Sequence, residues 1–303
     1  MHIVILGAGA MGCVFAARLT LSGERVTLVD VDDARLDALN REGITFVDHG
    51  HAQVVPIHAA RAERVAAPVD LVMLFTKGMH SAAAARSAAH LAGPETWALT
   101  LQNGIGNAEL LAEVFASDRV LMGVTDFPAD LDGPTRVEQH GEGRIHLGGF
   151  TPAAHAGAEP IAAMLSKAGL GAKADAQVEI AMWEKVAFNA ALNSIAMITE
   201  RTVGGMDVPS GRRIAGAVVA ETVAVANARG IALERASVDA KVAFALANHR
   251  GHKASMLQDR LAGRPTEIDT INGAIVRAGE AAGVPTPVTG TLADLVRLIE
   301  GRE

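Results

Sequence analysis

One lysine and two asparagines recur at intervals of four residues within a mainly apolar stretch, residues 181–193. They are Lys185, Asn189 and Asn193. Because an α-helix has about 3.6 residues per turn, residues four apart lie on one face, so the spacing predicts an ammonium group and two amides on one helical stripe. Such groups are costly on an apolar helix unless they contact a ligand or one another. The stripe indicates a substrate site with a cationic acid, and a polar stripe that faces solvent is the alternative.

A second group of polar residues stands later in the chain. It consists of Ser255, Gln258, Asp259 and Glu267. Helix capping is a sufficient explanation for the neighbouring Thr266 and one explanation for Ser255. Glu267 begins a helix predicted over residues 267–282, where a favourable interaction with the helix dipole is an alternative to a role in function.

The N-terminus predicts the element that would hold a cofactor. An apolar run over residues 2–6 is followed by Gly7-Ala8-Gly9-Ala10-Met11-Gly12 and an Ala-rich segment. In a dinucleotide-binding βαβ unit, Gly7 would allow the tight turn, Gly9 would let the backbone approach a pyrophosphate, and Gly12 would let helix and strand pack closely. The phosphates would lie at the positive end of the following helix. An ordinary glycine-rich turn is the alternative.

The end of the second predicted strand indicates which dinucleotide binds. Asp30 follows the glycines by roughly 20 residues, where a carboxylate accepts hydrogen bonds from both hydroxyls of an adenosine ribose and repels a 2′-phosphate. Asp32 and Asp33 add negative charge, and either of them is a candidate cap for the next helix. Arg35 is the only cation nearby in the sequence. NADH is therefore the expected cofactor, with NADPH as the alternative.

Composition narrows the class of protein. The 303 residues suffice for one large or two medium domains, and 50% apolar with 20% charged residues is typical of a soluble globular protein. A net charge of −7 argues against a nucleic-acid partner. No uncharged run reaches transmembrane length and no basic segment precedes an apolar one, so a cytoplasmic location is expected. The single cysteine, Cys13, excludes an internal disulfide and is expected to be a packing residue.

Strands and helices alternate along the first half of the chain. Apolar strands are predicted over residues 2–6, 25–30, 70–75, 97–101 and 120–124. A helix over residues 34–40, ended by Gly43, and a hairpin with strands over 44–47 and 54–57 come between them. The hairpin turn contains His49 and His51, but no carboxylate or cysteine set accompanies them, so a loop is favoured over a metal site. Alternation of this kind predicts a doubly wound sheet whose ligands bind beyond the carboxyl ends of the strands.

The sequence changes character near residue 176. The remainder is predicted to be almost entirely helical, over residues 178–200, 211–229, 237–249, 267–282 and 289–300. We therefore predict an α/β fold, with an N-terminal Rossmann-type doubly wound sheet followed by an all-α C-terminal domain. Residues 1–176 would form the dinucleotide-binding domain and residues 177–303 the helical domain for substrate binding and catalysis.

Taken in order, these motifs resemble the ketopantoate reductase (2-dehydropantoate 2-reductase) family along essentially the whole chain. Besides the glycine turn and the lysine stripe, the resemblance depends on Thr76-Lys77, Leu101-Gln102-Asn103-Gly104, Ser255-Met256-Leu257-Gln258-Asp259, Thr266-Glu267-Ile268-Asp269 and Ile271-Asn272-Gly273. The lysine helix together with the late blocks is specific, whereas the glycine motif alone is not.

The resemblance implies that a hydride passes from reduced nicotinamide to the C2 carbonyl of a 2-oxo acid. Lys185 would be the general acid that protonates the developing alkoxide. Glu267 would accept a hydrogen bond from the substrate hydroxyl or act as a counter-charge to Lys185. The resemblance further implies substrate contacts at Asn189, Asn193 and Ser255, and contacts to the nicotinamide ribose at Lys77 and Asn103.

Three segments depart from the pattern of the family. Thr202-Val203-Gly204 stands where Pro-Asn-Gly is common, His252 replaces an asparagine, and residues 125–130 differ from the usual small, histidine-containing run. The expected substrate is therefore ketopantoate or a related 2-oxo or 2-hydroxy acid, such as a mandelate-type compound. His252 is a candidate for binding the carboxylate, and a structural role is the alternative.

Two other functions stay open at this point. A 3-hydroxyacid dehydrogenase also pairs a Rossmann domain with a helical one and has Lys-x-x-x-Asn on a helix, but it leaves the block from Ser255 to Glu267 without a role. A non-catalytic dinucleotide sensor would keep the fold alone. For partners we expect a small-molecule 2-oxo acid, neither nucleic acid nor membrane, no metal, and a homodimer as one arrangement.

Overall fold

The chain folds into two compact units in the computed structural model, which describes residues 1–302. The first unit consists of Met1–Gln102 and Asn107–Val178, and the second of Asn103–Gly106 and the described residues after Val178. Glu303, the last residue of the predicted helical domain, lies outside the described residues. The predicted fold class is confirmed, since the first unit carries a mainly parallel sheet flanked by helices and the second is helical.

The first unit contains twelve strands and five α-helices. The strands are β1 (His2–Leu6), β2 (Arg25–Val29), β3 (Ile44–Asp48), β4 (His51–Val55), β5 (His58–Ala60), β6 (Leu71–Leu74), β7 (Trp97–Thr100), β8 (Val120–Thr125), β9 (Ala129–Asp132), β10 (Arg136–Gln139), β11 (Ile145–Gly149) and β12 (Ala172–Ala174). The helices are α1 (Ala10–Leu21), α2 (Asp33–Glu42), α3 (Ser81–Ser87), α4 (Asn107–Ala112) and α5 (Ala158–Lys167).

Eight strands form the main sheet, in the order β12-β11-β8-β7-β6-β1-β2-β5. Six neighbouring strands of this sheet run parallel, namely β8, β7, β6, β1, β2 and β5. This is the strand order of a dinucleotide-binding fold. The strand order reverses between β1 and β6, and in such sheets ligands bind in the crevice at this point. β6 is buried along its whole length and β1 along all but its first residue, which explains their continuous apolar sequences.

A second, four-stranded sheet has the order β4-β3-β10-β9. The predicted hairpin is confirmed, because β3 and β4 pair antiparallel around a turn at His49 and Gly50. Its second strand was predicted over residues 54–57 but covers His51–Val55, so His51 belongs to the strand and not to the turn. The strands from β9 to β12 were not predicted from the sequence. These strands are short, and β9 alternates between half-buried and exposed residues, so it lacks the apolar run by which the buried strands were recognised.

Six α-helices make up most of the second unit. They are α6 (Val178–Thr199), α7 (Pro209–Ala228), α8 (Arg235–Asn248), α9 (Ser255–Leu261), α10 (Asn272–Ala282) and α11 (Pro287–Glu300). Their core is built largely from alanine and aliphatic side chains, with Trp183 among them. Within residues 1–302, no helix is long and apolar enough to cross a membrane.

The predicted helix over residues 267–282 is wrong at its beginning. Residues 267–271 form turns, in which the carbonyl oxygen of Glu267 accepts hydrogen bonds from the N–H groups of Thr270 (3.2 Å) and Ile271 (3.1 Å). The regular helix begins only at Asn272. Glu267 therefore does not lie in a first helical turn, and the helix dipole does not explain its presence.

Candidate functional site

Two glycines of the N-terminal turn are required by close backbone packing. Gly7 has a φ of +107°, and a Cβ there would lie 2.8 Å from the backbone nitrogen of Thr76, where the end of β1 meets the end of β6. A Cβ at Gly12 would lie 1.9 Å from the carbonyl oxygen of Gly7. Larger residues at either position would push the turn away from the sheet, so both glycines shape the turn rather than leave room for a ligand.

Gly9 differs from these two, because open space surrounds the position of its missing Cβ. Apart from Gly9 and its neighbours along the chain, no heavy atom of the described residues lies within 4 Å of that position. Gly9 is the N-cap of α1, and among residues 1–302 no side chain caps the helix there. An uncapped helix N-terminus with open backbone in front of it fits the pyrophosphate of a dinucleotide.

A cavity of about 540 Å³ lies at the carboxyl ends of β1, β2 and β6. Four of the predicted cofactor-binding residues line it, namely Gly7, Gly9, Asp30 and Lys77. The described residues that line the cavity do not include Ala10, Met11 or Gly12; the first two are half-buried at the start of α1, and Gly12 is buried against the turn.

The Asp30 carboxylate is strongly engaged by the backbone. Its Oδ2 accepts a hydrogen bond from the N–H of Ala8 (2.8 Å), and its Oδ1 accepts from Val31 (2.8 Å) and Asp32 (3.1 Å). A carboxylate has about four acceptor positions, so these bonds leave room for about one further donor. The bonds from Asp30 to the ribose hydroxyls stay a prediction, and the three backbone bonds fix the orientation of the carboxylate.

Two arginines, and not one, line the cavity near Asp30. Arg35 donates from Nη1 to the carbonyl oxygen of Ala8 (2.7 Å), so it holds the glycine turn. Arg61 is the second cation, and it was not predicted from the sequence. It follows β5, a strand of 3 residues that carries no recognisable pattern, and the sheet brings it beside the end of β2. The capping alternative is confirmed for Asp32, whose Oδ1 accepts from the N–H of Arg35 (3.1 Å).

Cys13 is a buried packing residue, as expected. Its side chain has no exposed surface, and its Sγ donates to the carbonyl oxygen of Ala8 (3.4 Å). Burial raises the pKa of the Cys13 thiol from 9.0 to about 12. The residue is therefore a neutral thiol at physiological pH and not a nucleophile.

In the second unit, the polar stripe of α6 contacts a neighbouring helix. Lys185 and Asn189 are half-buried, whereas Asn193 is only 5% exposed and its Nδ2 donates to the Oγ of Ser255 (3.0 Å). A stripe that simply faces solvent is therefore wrong for Asn193. Ser255 is the first residue of α9, whose N-cap is Ala254, so capping is not the role of Ser255. Its hydroxyl is instead the partner of a stripe residue.

Asn103 and Glu267 lie together in the same unit. The Asn103 Nδ2 donates to the Glu267 Oε2 at 3.4 Å. The next residue, Gly104, packs so closely on the turn before α10 that a Cβ would lie 2.1 Å from the carbonyl oxygen of Thr270. The N–H of Ile105 donates to that same oxygen (3.2 Å). The segment Asn103–Gly106 is thus fastened to the turn that carries Glu267.

Other polar residues of the late block have local partners. Asp259 is 7% exposed and its carboxylate accepts from the Nε of Arg264 (3.0 Å), while Gln258 donates to the carbonyl oxygen of Lys253 (2.8 Å). Both bonds connect residues close in sequence. They explain these two side chains without a ligand.

The departures at residues 202–204 and at His252 are neighbours in space. The N–H of Val203 donates to the carbonyl oxygen of His252 (2.9 Å), and the N–H of Gly204 donates to that of Arg250 (3.0 Å). The Val203 side chain is buried, whereas His252 is exposed. The two stretches that differ from the family pattern, at residues 202–204 and at His252, are therefore hydrogen-bonded to each other through their backbones. No group of three or more His, Cys, Asp or Glu side chains within residues 1–302 is arranged to hold a metal ion.

The geometry of the first unit defines a class of protein. A parallel sheet with this strand order, a glycine turn at its switch point and a carboxylate at the end of β2 are the features of a Rossmann-type dinucleotide-binding protein. The family "Ketopantoate reductase PanE/ApbA" matches residues 3–152, and its C-terminal part, "Ketopantoate reductase PanE/ApbA C terminal", matches residues 177–300.

Individual relatives agree with these matches over the full length. The 2-dehydropantoate 2-reductase of Halobacterium salinarum is 32% identical, with 99% of each chain covered. The structure is similar to that of a D-mandelate dehydrogenase solved with NADH and anilino(oxo)acetate, with a TM-score of 0.94, 29% identity, and 99% of this chain and 98% of that chain covered. The 2-dehydropantoate 2-reductase of Geobacter metallireducens gives a TM-score of 0.91 at 31% identity, over 99% of this chain and 100% of that one. This chain belongs to the ketopantoate reductase family and is an oxidoreductase.

Proposed function

We propose that this protein reduces the C2 carbonyl of a 2-oxo acid, with NADH as the preferred hydride donor. The observation that carries the proposal is the bond between Asn193 and Ser255, which joins the Lys185 stripe to the late block in a member of a reductase family. A non-catalytic sensor would have no need to retain a lysine, its aligned amides and a bonded serine together.

The cofactor would be held by the first unit. Bound nicotinamide dinucleotide would supply the hydride. The open backbone at Gly9 supports pyrophosphate binding, and the half-buried Lys77, which also lines the cavity, is a candidate for contact with the nicotinamide ribose. Asp30 supports NADH, because its remaining acceptor position suits a ribose hydroxyl and its charge repels a 2′-phosphate. NADPH is the alternative.

Lys185 would act as the general acid. As hydride reaches C2, negative charge develops on the carbonyl oxygen, and an ammonium group both stabilises this charge and donates the proton that completes the alcohol. The neighbouring Asn189, one helical turn further on α6, would donate hydrogen bonds to the substrate carboxylate or carbonyl.

The remaining residues would orient the substrate. Asn193 uses one N–H on Ser255, so the Ser255 hydroxyl proton stays available for a substrate oxygen. Glu267 would accept from a substrate hydroxyl or balance the charge of Lys185, and Asn103, bonded to Glu267, would align the nicotinamide ribose. His252 is a weaker candidate for the carboxylate, because it is exposed and only its backbone has an assigned partner.

The substrate would be ketopantoate or an aryl 2-oxo acid of the mandelate type. The buried Val203 and the exposed His252 stand where the family commonly has amides, which removes polar contacts suited to the extra hydroxyl of ketopantoate. The structural likeness to D-mandelate dehydrogenase supports the second possibility. A cytoplasmic location and a homodimer are further predictions.

The test has two stages. Quenching of NADH and NADPH fluorescence first measures whether each cofactor binds. Decay of the reduced-nicotinamide absorbance is then followed with ketopantoate, phenylglyoxylate, 2-oxoisovalerate and pyruvate. We expect turnover on ketopantoate or phenylglyoxylate, faster with NADH at subsaturating cofactor. Cofactor binding without turnover on any 2-oxo acid would contradict the proposal and favour a sensor.

A further inference from the structure

The rim of the dinucleotide cavity contains a cation that is already paired. Arg61 lines both this cavity of about 540 Å³ and a second, smaller one of about 330 Å³, which Asp33 lines as well. Its Nε lies 2.6 Å from the Oδ1 of Asp33 and its Nη2 lies 2.7 Å from the Oδ2, so the two groups form a bidentate pair. Asp33 itself does not line the large cavity among the described residues. Its direct contact with the lining of that cavity is the bidentate pair with Arg61.

The same edge of a guanidinium is what a phosphate monoester would bind. Arg recognises carboxylates and phosphates with two parallel N–H donors, and the Nε–Nη2 edge of Arg61 is occupied by Asp33. The other nearby arginine, Arg35, donates to the carbonyl oxygen of Ala8 and holds the glycine turn. The cations beside Asp30 are thus both engaged by groups of the protein.

We propose that Asp33 is a positioning residue for cofactor choice, which withholds Arg61 from the 2′-phosphate of NADPH. The inference rests on the proposed function, in which the adenosine ribose lies beside Asp30. Discrimination against NADPH then has two parts. Asp30 repels the 2′-phosphate directly, and Asp33 denies it a cationic partner.

The ion pair between Arg61 and Asp33 contributes little to the stability of the fold. The Asp33 side chain is 70% exposed and that of Arg61 is 34% exposed, and exposed ion pairs contribute little to stability. The hydrogen bond from Arg61 lowers the pKa of Asp33, so the pair stays ionised throughout the neutral range. Removing Asp33 should therefore change ligand preference without unfolding the protein.

The experiment uses the adenosine end of each cofactor, so that it does not depend on catalysis. Calorimetric titrations measure the dissociation constants of AMP and of adenosine 2′,5′-bisphosphate for the wild-type chain, Asp33→Asn, Arg61→Gln and the double variant. The matched control is Asp32→Asn, which removes one negative charge from the adjacent residue. Asparagine caps helices as well as aspartate does, so this control keeps the start of α2.

We expect Asp33→Asn to improve binding of the bisphosphate relative to AMP by about fivefold, as suits an exposed charge-assisted contact. The gain should be absent in the double variant and smaller in Asp32→Asn. The inference is overturned if the gain persists without Arg61 or if Asp32→Asn reproduces it, since either result would show a general charge effect. Failure of AMP to bind the wild-type chain is a separate outcome, which would instead contradict the proposed function. Asp33→Ser provides a second variant if Asp33→Asn does not fold.

Discussion

The candidate sites of the two units differ in whether backbone or side-chain atoms set their geometry. In the first unit, backbone contacts shape the glycine turn at the cavity: Gly7 and Gly12 fix the turn, Gly9 leaves space in front of it, and Asp30 and Arg35 bond the N–H and the carbonyl oxygen of Ala8. In the second unit, the site consists of side chains on helices and turns that are distant in sequence, and hydrogen bonds join Asn193 to Ser255 and Asn103 to Glu267. The shape of a turn set by backbone contacts is sensitive mainly at its glycines, whereas side chains beside it, such as Asp30, affect which ligand binds. A site made of side chains is altered by every substitution within it.

The largest expected effect of a substitution is on catalysis. Lys185→Ala should lower turnover by about 10²–10⁴-fold, the usual contribution of a general acid, while NADH affinity stays nearly unchanged because the cofactor cavity belongs to the first unit. Single-turnover rates and NADH fluorescence titrations measure the two quantities. Lys241→Ala is the matched control, since this lysine pairs with Glu184 on the outer part of the helices. Equal turnover in the two variants would contradict the role of Lys185 as the general acid.

Two glycine substitutions separate the folding role of the turn from its binding role. Gly12→Ala places a Cβ 1.9 Å from a backbone oxygen and should destabilise the protein by about 3 kcal/mol or more. Gly9→Ala has open space, so its melting temperature should stay near that of the wild type, while NADH affinity falls about tenfold, equivalent to about 1.4 kcal/mol. Thermal unfolding and NADH titration of both variants test this contrast. Similar losses of stability in the two variants would show that Gly9 and Gly12 both serve packing.

The hydrogen bond between Asn193 and Ser255 should make their substitutions non-additive. Asn193→Ala and Ser255→Ala should each raise the KM for the 2-oxo acid, and the double variant should lose less than the sum, with a coupling energy of about 1 kcal/mol. Steady-state kinetics at saturating NADH give the cycle. Gln258→Ala, in the same helix but bonded to Lys253, should leave KM unchanged. Additive effects would indicate that the two side chains act separately.

A smaller effect is expected at Asp30. Asp30→Asn keeps acceptor capacity on one side of the group but removes the charge, so the preference for NADH over NADPH should fall by about fivefold. It should also lower the melting temperature slightly, because one of the bonds to Ala8, Val31 or Asp32 is lost. Dissociation constants for both dinucleotides measure the preference. An unchanged ratio would remove the argument for NADH.

The smallest effect concerns Cys13. Because burial raises its pKa to about 12, the native thiol should resist Ellman's reagent at mildly alkaline pH and react only on unfolding. In the unfolded chain the thiol has its ordinary pKa of 9.0, so its contribution to stability is complete below pH 9 and declines as the pH rises towards 12. Cys13→Ala should remove this part of the alkaline slope. Rapid labelling of the folded protein would contradict the burial.

Regular, buried elements were predictable from the sequence, and short or irregular ones were not. The strands β1, β6 and β7 are continuous apolar runs, and α2 was recognised from helical spacing and from Gly43 at its end. The prediction was wrong over Glu267 to Ile271, because Ile268 and Ile271 are three residues apart, a spacing that is compatible with a helix. The backbone of this segment instead forms turns that pack on Asn103–Gly106. That packing is a contact between residues distant in sequence, which a local pattern does not predict.

The residues of the candidate site were likewise predictable only where they belong to a local sequence pattern. The glycine turn and Asp30 follow a local pattern whose spacing is fixed by one strand, one turn and one helix. Arg61 and its pair with Asp33 have no such pattern, since 28 residues separate the two side chains and only the pairing of β2 with β5 brings them together. The roles of Gln258 and Asp259 were likewise undecided until their partners were known.

The sequence by itself determined the fold class, the position of the dinucleotide turn and the helical stripe that carries Lys185, because each depends on interactions within a few residues and on the period of a helix or strand. Only the tertiary structure decided that Asn193 bonds Ser255, that Asn103 bonds Glu267 and that Arg61 is held by Asp33. These pairs join residues far apart in the chain. Their distances are set by how helices and strands pack, and no local pattern in the sequence records that.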